Sequence, residues 1–300
     1  MRKEKLLSLG ICTAVMLIGC GKQLSEDELA AKEIGISVEE YMALKGEGET
    51  ASEYYKEDLL TEVEDCSTTV NSAKEEVLEN AMNKPYLICI DAGHQSKANS
   101  AQEPIGPGSS TTKPKVASGT KGVSTGIPEY KMTLAVSLKL KEELEARGYQ
   151  VLMVREENDV DISNSERAMI ANDANADAFI RIHGDGSESS SVSGATALCQ
   201  TANNKYNGDL HPLSYALAQS VLSGLVNECG CKSRGISQVD NMSGINWCTV
   251  PVTIIEVGFM TNPSEDQLLG TDEYQYKIAT GIANGLDNYF AELEDARTEQ

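Results

Sequence analysis

Phenylalanine, tryptophan and histidine are scarce in this 300-residue chain, which has three Phe, one Trp and three His. Any chemistry that needs several imidazoles must therefore draw on nearly all of them. Basic residues are also few: 25 Lys and Arg face 46 Asp and Glu, a net charge of −21. A chain this acidic is repelled by nucleic acid and by anionic lipid head groups, which excludes binding to either through a basic patch. The eight cysteines are too dispersed for a disulfide scaffold. Cys89 and Cys199 lie in strand-like runs and read as buried packing residues. Cys229-Gly230-Cys231 is a lone close pair with no second pair to complete a metal site. Apolar runs long enough to span a bilayer are missing as well. The run Leu6–Ile18 is too short, and it follows Arg2, Lys3 and Lys5, the pattern of an export signal.

That run ends in Leu17-Ile18-Gly19-Cys20, which resembles the bacterial lipobox. The resemblance implies a signal peptide over 1–19, cleavage before Cys20, lipidation of Cys20, and a protein held by its lipid at the outer face of the cell membrane. Residues 20–84 carry 17 acids against 6 bases and few apolar stripes, and they read as an acidic tether, partly helical or disordered.

From residue 85 the composition changes. Apolar runs alternate with amphipathic segments, the pattern of a parallel sheet covered on both faces. Strands are expected at Tyr86–Asp91, Gln150–Arg155, Ala178–His183, Ala195–Cys199 and Val252–Val257. Helices are expected at Glu129–Arg147, Asn164–Ala174, Leu213–Asn227 and Asp272–Leu293. The expectation is one three-layer α/β domain over 85–293, with a twisted, largely parallel sheet and a short polar tail over 294–300. Residues 95–126 form an unusually long connection rich in Gly, Pro, Ser and Thr, the kind of loop that is functional or disordered.

Two of the three histidines, His94 and His183, fall at the carboxyl ends of expected strands, and Glu256 lies in the strand VTIIEV. Ligands bind beyond the carboxyl ends of strands in such sheets, and Glu129, opening the first helix, points to the same edge. Taken singly, His94 fits a turn, Glu129 a helix start, and His183 a strand end. Glu256 is harder to place as structure, because a carboxylate inside an apolar run is costly to bury without a partner. Together they suit an open metal site: two imidazoles and one carboxylate hold the ion and leave a position for water. A second carboxylate carries the proton. That division gives His94, Glu129 and His183 to the metal and Glu256 to the proton. Arg167 and Arg181 suit either substrate carboxylates or a structural ion pair. Trp247 reads as core cover, and His211 as a surface residue.

Four ordered blocks, ICIDAGH, PEYKMTLAVSLKLKEELEARGYQVLMVR, SERAMIANDANADAFIRIH and VPVTIIEVGFMTNPSED, resemble the motifs of the zinc-dependent N-acetylmuramoyl-L-alanine amidases. The resemblance spans nearly all of residues 85–293. It implies one Zn2+ bound by His94, Glu129 and His183, with Glu256 as the catalytic residue. The implied substrate is peptidoglycan, cut at the amide between N-acetylmuramic acid and L-alanine; a protein regulator is not indicated. Three places depart from the family pattern. His94 and Glu129 are unusually far apart, so residues 95–126 look like an insertion that lines or covers the cleft. Gly184-Asp185-Gly186 follows the second histidine, and the run Ser243–Trp247 is unfamiliar. Two rivals stay open: a zinc peptidase acting within the stem peptide, and a silent, lipid-anchored wall-binding protein.

Overall fold

A computed structural model describes residues 84–298; the signal sequence, Cys20 and most of the acidic tether lie outside the described residues. Six strands form one sheet: β1 (Leu87–Ala92), β4 (Gln150–Met153), β5 (Ala178–Asp185), β6 (Ala195–Cys199), β7 (Ser233–Gln238) and β8 (Val252–Phe259). Their order is β4-β1-β5-β8-β6-β7. All neighbouring strands run parallel except β6 and β8, which are antiparallel, so the sheet is mixed.

Because side chains alternate along a strand, each central strand serves two layers. Ile88, Ile90, Ile180, Ile182, Ile255 and Val257 point to one face. There they pack against α1 (Glu129–Ala146), α3 (His211–Cys229) and α6 (Asp272–Thr298). Cys89, Phe179, Val252 and Ile254 point to the other, under α2 (Asn164–Asp173) and the single turn α4 (Ser243–Asn246). A capping box starts α2, in which Ser163 and Glu166 each satisfy the other's backbone N–H. A further short helix, α5 (Pro263–Leu269), follows β8. No described helix is long and apolar enough to cross a membrane.

The expected elements all form, and several additions accompany them. The long connection contains an antiparallel hairpin, β2 (Asn99–Pro104) and β3 (Thr112–Val116). The polar edge strand β7, together with α4 and α5, was not apparent from sequence pattern. The expected polar tail continues α6 through Thr298, and Tyr86 donates a hydrogen bond from its hydroxyl to Glu294 at 2.8 Å.

Candidate active site

Alternation places Asp91 on β1, Arg181 and His183 on β5, and Ile254 and Glu256 on β8 on the same face of the sheet. His183 stands in register with Glu256, and Asp91 with Arg181. Toward the carboxyl end of these strands that face leaves its helical cover and becomes a cleft of about 430 Å3.

His94, Glu129 and His183 meet there. Glu129 Oε1 lies 3.1 Å from His94 Nε2 and 3.1 Å from His183 Nδ1. The two imidazoles stand edge to face with centroids 4.8 Å apart. Backbone N–H groups aim the carboxylate: Gly184 donates to Oε1 at 3.0 Å and Thr120 to Oε2 at 2.6 Å. Gly93 gives His183 its room, since a Cβ there would come within 2.5 Å of the imidazole Cε1. His94 itself adopts a left-handed backbone, φ 61°, a conformation uncommon for a non-glycine residue and concentrated at functional sites. Two contacts hold it: Arg167 Nη2 donates to its carbonyl at 3.1 Å, and its own Nδ1 lies 2.9 Å from the carbonyl of Ala117.

That last contact tests whether the trio fits a metal. Nδ1 must donate to the Ala117 carbonyl, so a neutral His94 presents a lone pair at Nε2 to an anionic carboxylate oxygen. Two acceptors 3.1 Å apart need a cation between them, either a proton or a metal ion. Glu129 and His183 lean toward the forms that ligate a metal, the carboxylate and the neutral imidazole. Burial would raise Glu129, but hydrogen bonds and charge from His183 and His94 outweigh it and hold the carboxyl well below the usual range. Burial pushes His183 down despite its bond to Glu129, toward the neutral form that ligates metals. The opposite happens at His94, where the Glu129 and Ala117 bonds overcome burial and raise it. These residues fit a divalent cation, with His94 oriented by a backbone carbonyl as metal-bound histidines commonly are.

Glu256 is pushed well above the usual carboxyl range, first by burial and then by repulsion from Glu129 and Asp185. Its Oε2 and the Nε2 of His183 are buried without a hydrogen-bond partner among the described residues. Unpaired polar atoms in a cleft are those that a ligand, water or ion would satisfy.

The two arginines separate in role. All five N–H groups of Arg167 are engaged, by Asp91, the carbonyls of Ala92, His94 and Ile162, and the Gln95 side chain. Arg167 is thus the structural ion pair, with no donor left for a substrate; it positions His94. Arg181 donates from Nε to Asp91 and from Nη2 to Asn164, both at 2.9 Å, and lines the cleft. Of the two expectations for residues 95–126, lining or covering the cleft, the structure shows lining: the second strand of the hairpin and the residue after it send Lys113, Pro114, Val116 and Ala117 into the cleft wall. Trp247 ties the hairpin down, donating from its indole to the Pro104 carbonyl at 2.9 Å, while Asn246 donates to that of Ile105. His211 begins α3 and contacts Gln238 at 2.9 Å, apart from the metal-ligand group.

An α/β sheet with two imidazoles and a carboxylate gathered at its carboxyl edge, and a second carboxylate beside them, defines the class: a hydrolase fold with a group that could hold a metal ion. The chain belongs to the N-acetylmuramoyl-L-alanine amidase family, whose model matches residues 88–288. It is 30% identical to the germination-specific N-acetylmuramoyl-L-alanine amidase of Bacillus subtilis over 56% of this chain and 73% of that one. Among solved structures it resembles the N-acetylmuramyl-L-alanine amidase Ami1 from Mycobacterium smegmatis. That match has a TM-score of 0.64 and 25% identity, and covers 71% of this chain and all of the other. The N-acetylmuramoyl-L-alanine amidase from Clostridium difficile 630 matches with a TM-score of 0.55 and 27% identity, over 69% of this chain and 97% of its own.

Proposed function

We propose that this protein hydrolyses the amide between N-acetylmuramic acid and L-alanine in peptidoglycan, using one Zn2+ held by His94, Glu129 and His183. The observation that carries this reading is the Glu129 oxygen set 3.1 Å from both imidazole nitrogens, with the unpartnered Glu256 carboxyl lining the same cleft. Zinc at this position supplies positive charge that polarises the scissile carbonyl and acidifies water.

The chain's own residues do the rest. Glu256 removes a proton from the attacking water as its oxygen bonds to the carbonyl carbon. It then delivers that proton to the amide nitrogen as the C–N bond breaks. The products are the lactyl carboxylate of muramic acid and a peptide with a free L-alanine amine. The raised affinity of Glu256 for a proton suits it to hold that proton between the two steps. Asp91 and Arg167 keep the β1 turn, and with it His94, in place.

The basic residues, apolar run and Cys20 of the N-terminus support an exported, lipid-anchored enzyme at the outer face of the membrane. On intact peptidoglycan, the purified protein should release stem peptides with free N-terminal L-alanine, identified by mass spectrometry. A chelator and Glu256→Gln should each abolish the release. Cleavage elsewhere in the stem would identify a zinc peptidase instead, and absence of cleavage with zinc bound would identify a binding module.

A further inference from the structure

The hairpin and the floor of the cleft share a feature that amide hydrolysis itself does not require. Beneath the metal ligands, one carboxylate, Asp91, faces two buried guanidiniums, Arg167 and Arg181. A third, Arg155, bonds among the described residues only to neutral side chains and to carbonyls, including those of the Ala92, Gly93 and Tyr130 backbone. Asp91 alone therefore does not balance the three guanidiniums of this floor. Arg181 is 3% exposed, and two of its nitrogens are clamped by Asp91 and Asn164. Its Nη1 has no hydrogen-bond partner among the described residues and sits against Gly244, itself in the cleft lining. Lys113 of β3 lines the same cleft, is half-buried and has no carboxylate partner among the described residues. Val116, Leu198 and Ile254 contribute apolar surface to the same lining, beside the polar His94, Asn164, His183, Ser243 and Glu256, and that apolar surface lowers the local dielectric and strengthens charge interactions made there.

We propose that Arg181 Nη1 and Lys113 form an anion subsite that takes a free carboxylate on the peptide side of the scissile amide. This rests on the amidase reading. In that substrate the sugar's own carboxyl is consumed in the amide bond, so the acyl half is neutral there. A carboxylate reaching the cleft must come from a residue beyond L-alanine. Because Arg181 is already immobilised, it loses little conformational freedom on binding. Arg181 and Lys113 would set which peptides the enzyme accepts, while His94, Glu129, His183 and Glu256 perform the reaction.

The test compares two soluble substrates, N-acetylmuramoyl-L-alanyl peptides whose second residue carries either a free α-carboxylate or its carboxamide. The zinc-loaded enzyme should prefer the carboxylate about tenfold or more in kcat/KM, as expected for a charge-assisted hydrogen bond. The difference should reside mainly in KM. Arg181→Met and Lys113→Gln should each shrink the preference, with the loss concentrated on the carboxylate substrate. Zinc content and thermal midpoint are measured alongside, and Lys113→Gln, on the hairpin, stays informative if the buried arginine variant fails to fold. Equal cleavage of both substrates by the unaltered enzyme, or a preference that survives Lys113→Gln and a folded Arg181→Met, would overturn the subsite and leave the amidase reading intact. Cleavage of neither substrate, with zinc bound, would overturn both.

Discussion

Replacing Asp91 by Asn should be among the most damaging single-residue changes to stability outside the His94, Glu129 and His183 group. Asp91 is fully buried and pairs with Arg167 at 2.6 Å and Arg181 at 2.9 Å. Removing its charge leaves two buried guanidiniums uncompensated, and breaking a buried pair in this way costs about 3–5 kcal/mol. At about 2–4 °C per kcal/mol for a domain of this size, the thermal midpoint should fall by roughly 6–20 °C. The pH dependence gives a second, independent signature. Burial alone would raise the Asp91 carboxyl, but the charges of Arg167 and Arg181 outweigh it and hold the group below its ordinary 3.8. A depressed carboxyl contributes stability that is complete above its unfolded value and is lost as pH falls toward the folded one. The gap between native and Asp91→Asn proteins should therefore be constant near neutrality and begin to shrink below about pH 4. Urea unfolding at several pH values measures it. A loss under about 1 kcal/mol at pH 7, or a gap that does not narrow in acid, would refute the argument that Asp91 neutralises this cluster.

Glu256→Gln should retain zinc and lose about 100-fold or more of the hydrolytic rate, read by product release beside metal content. In chelated protein, stability should decline as pH rises above about 4.5, because the folded state holds the Glu256 proton to higher pH than the unfolded chain does; the Gln variant should lack that decline. Gly244→Ala would put a Cβ 1.7 Å from Arg181 Nη1, and forcing the two apart should cost about 1–3 kcal/mol by denaturant titration. Cys20→Ser should move the protein from the membrane fraction to the soluble fraction, while retention in the membrane would remove the basis for a lipid anchor.

The central strands were legible because β1, β5 and β8 are apolar runs buried on both faces, and their lengths and bounding turns mark them as strands. His183 and Glu256 were conspicuous inside such runs, whereas His94 stood out just beyond β1 and Glu129 as the acidic start of the following helix. Hairpin β2–β3 gave no such signal. Its first strand reads Asn-Ser-Ala-Gln-Glu-Pro, with neither alternation nor β-branched residues, and it is held by contacts from Asn246 and Trp247 more than 140 residues away. β7, Ser-Arg-Gly-Ile-Ser-Gln, is a polar edge strand whose partner supplies what its own sequence lacks. The roles of Arg167 and Arg181 depended on which donors the fold had already used, and that is a property of packing rather than of the residue type.

The interval between His94 and Glu129 spans 35 positions, yet it brings its ends within hydrogen-bonding distance. Loop-closure entropy grows only logarithmically, so even doubling such an interval adds about 0.6 kcal/mol. His94 is anchored by Arg167 and Ala117, and Glu129 by Thr120 and Gly184, so the last residues of the interval belong to the anchors. The hairpin before them, residues 99–116, is therefore a graft point. It can be lengthened, shortened or exchanged to reshape one wall of the cleft, while the atoms that would grip the ion keep their places.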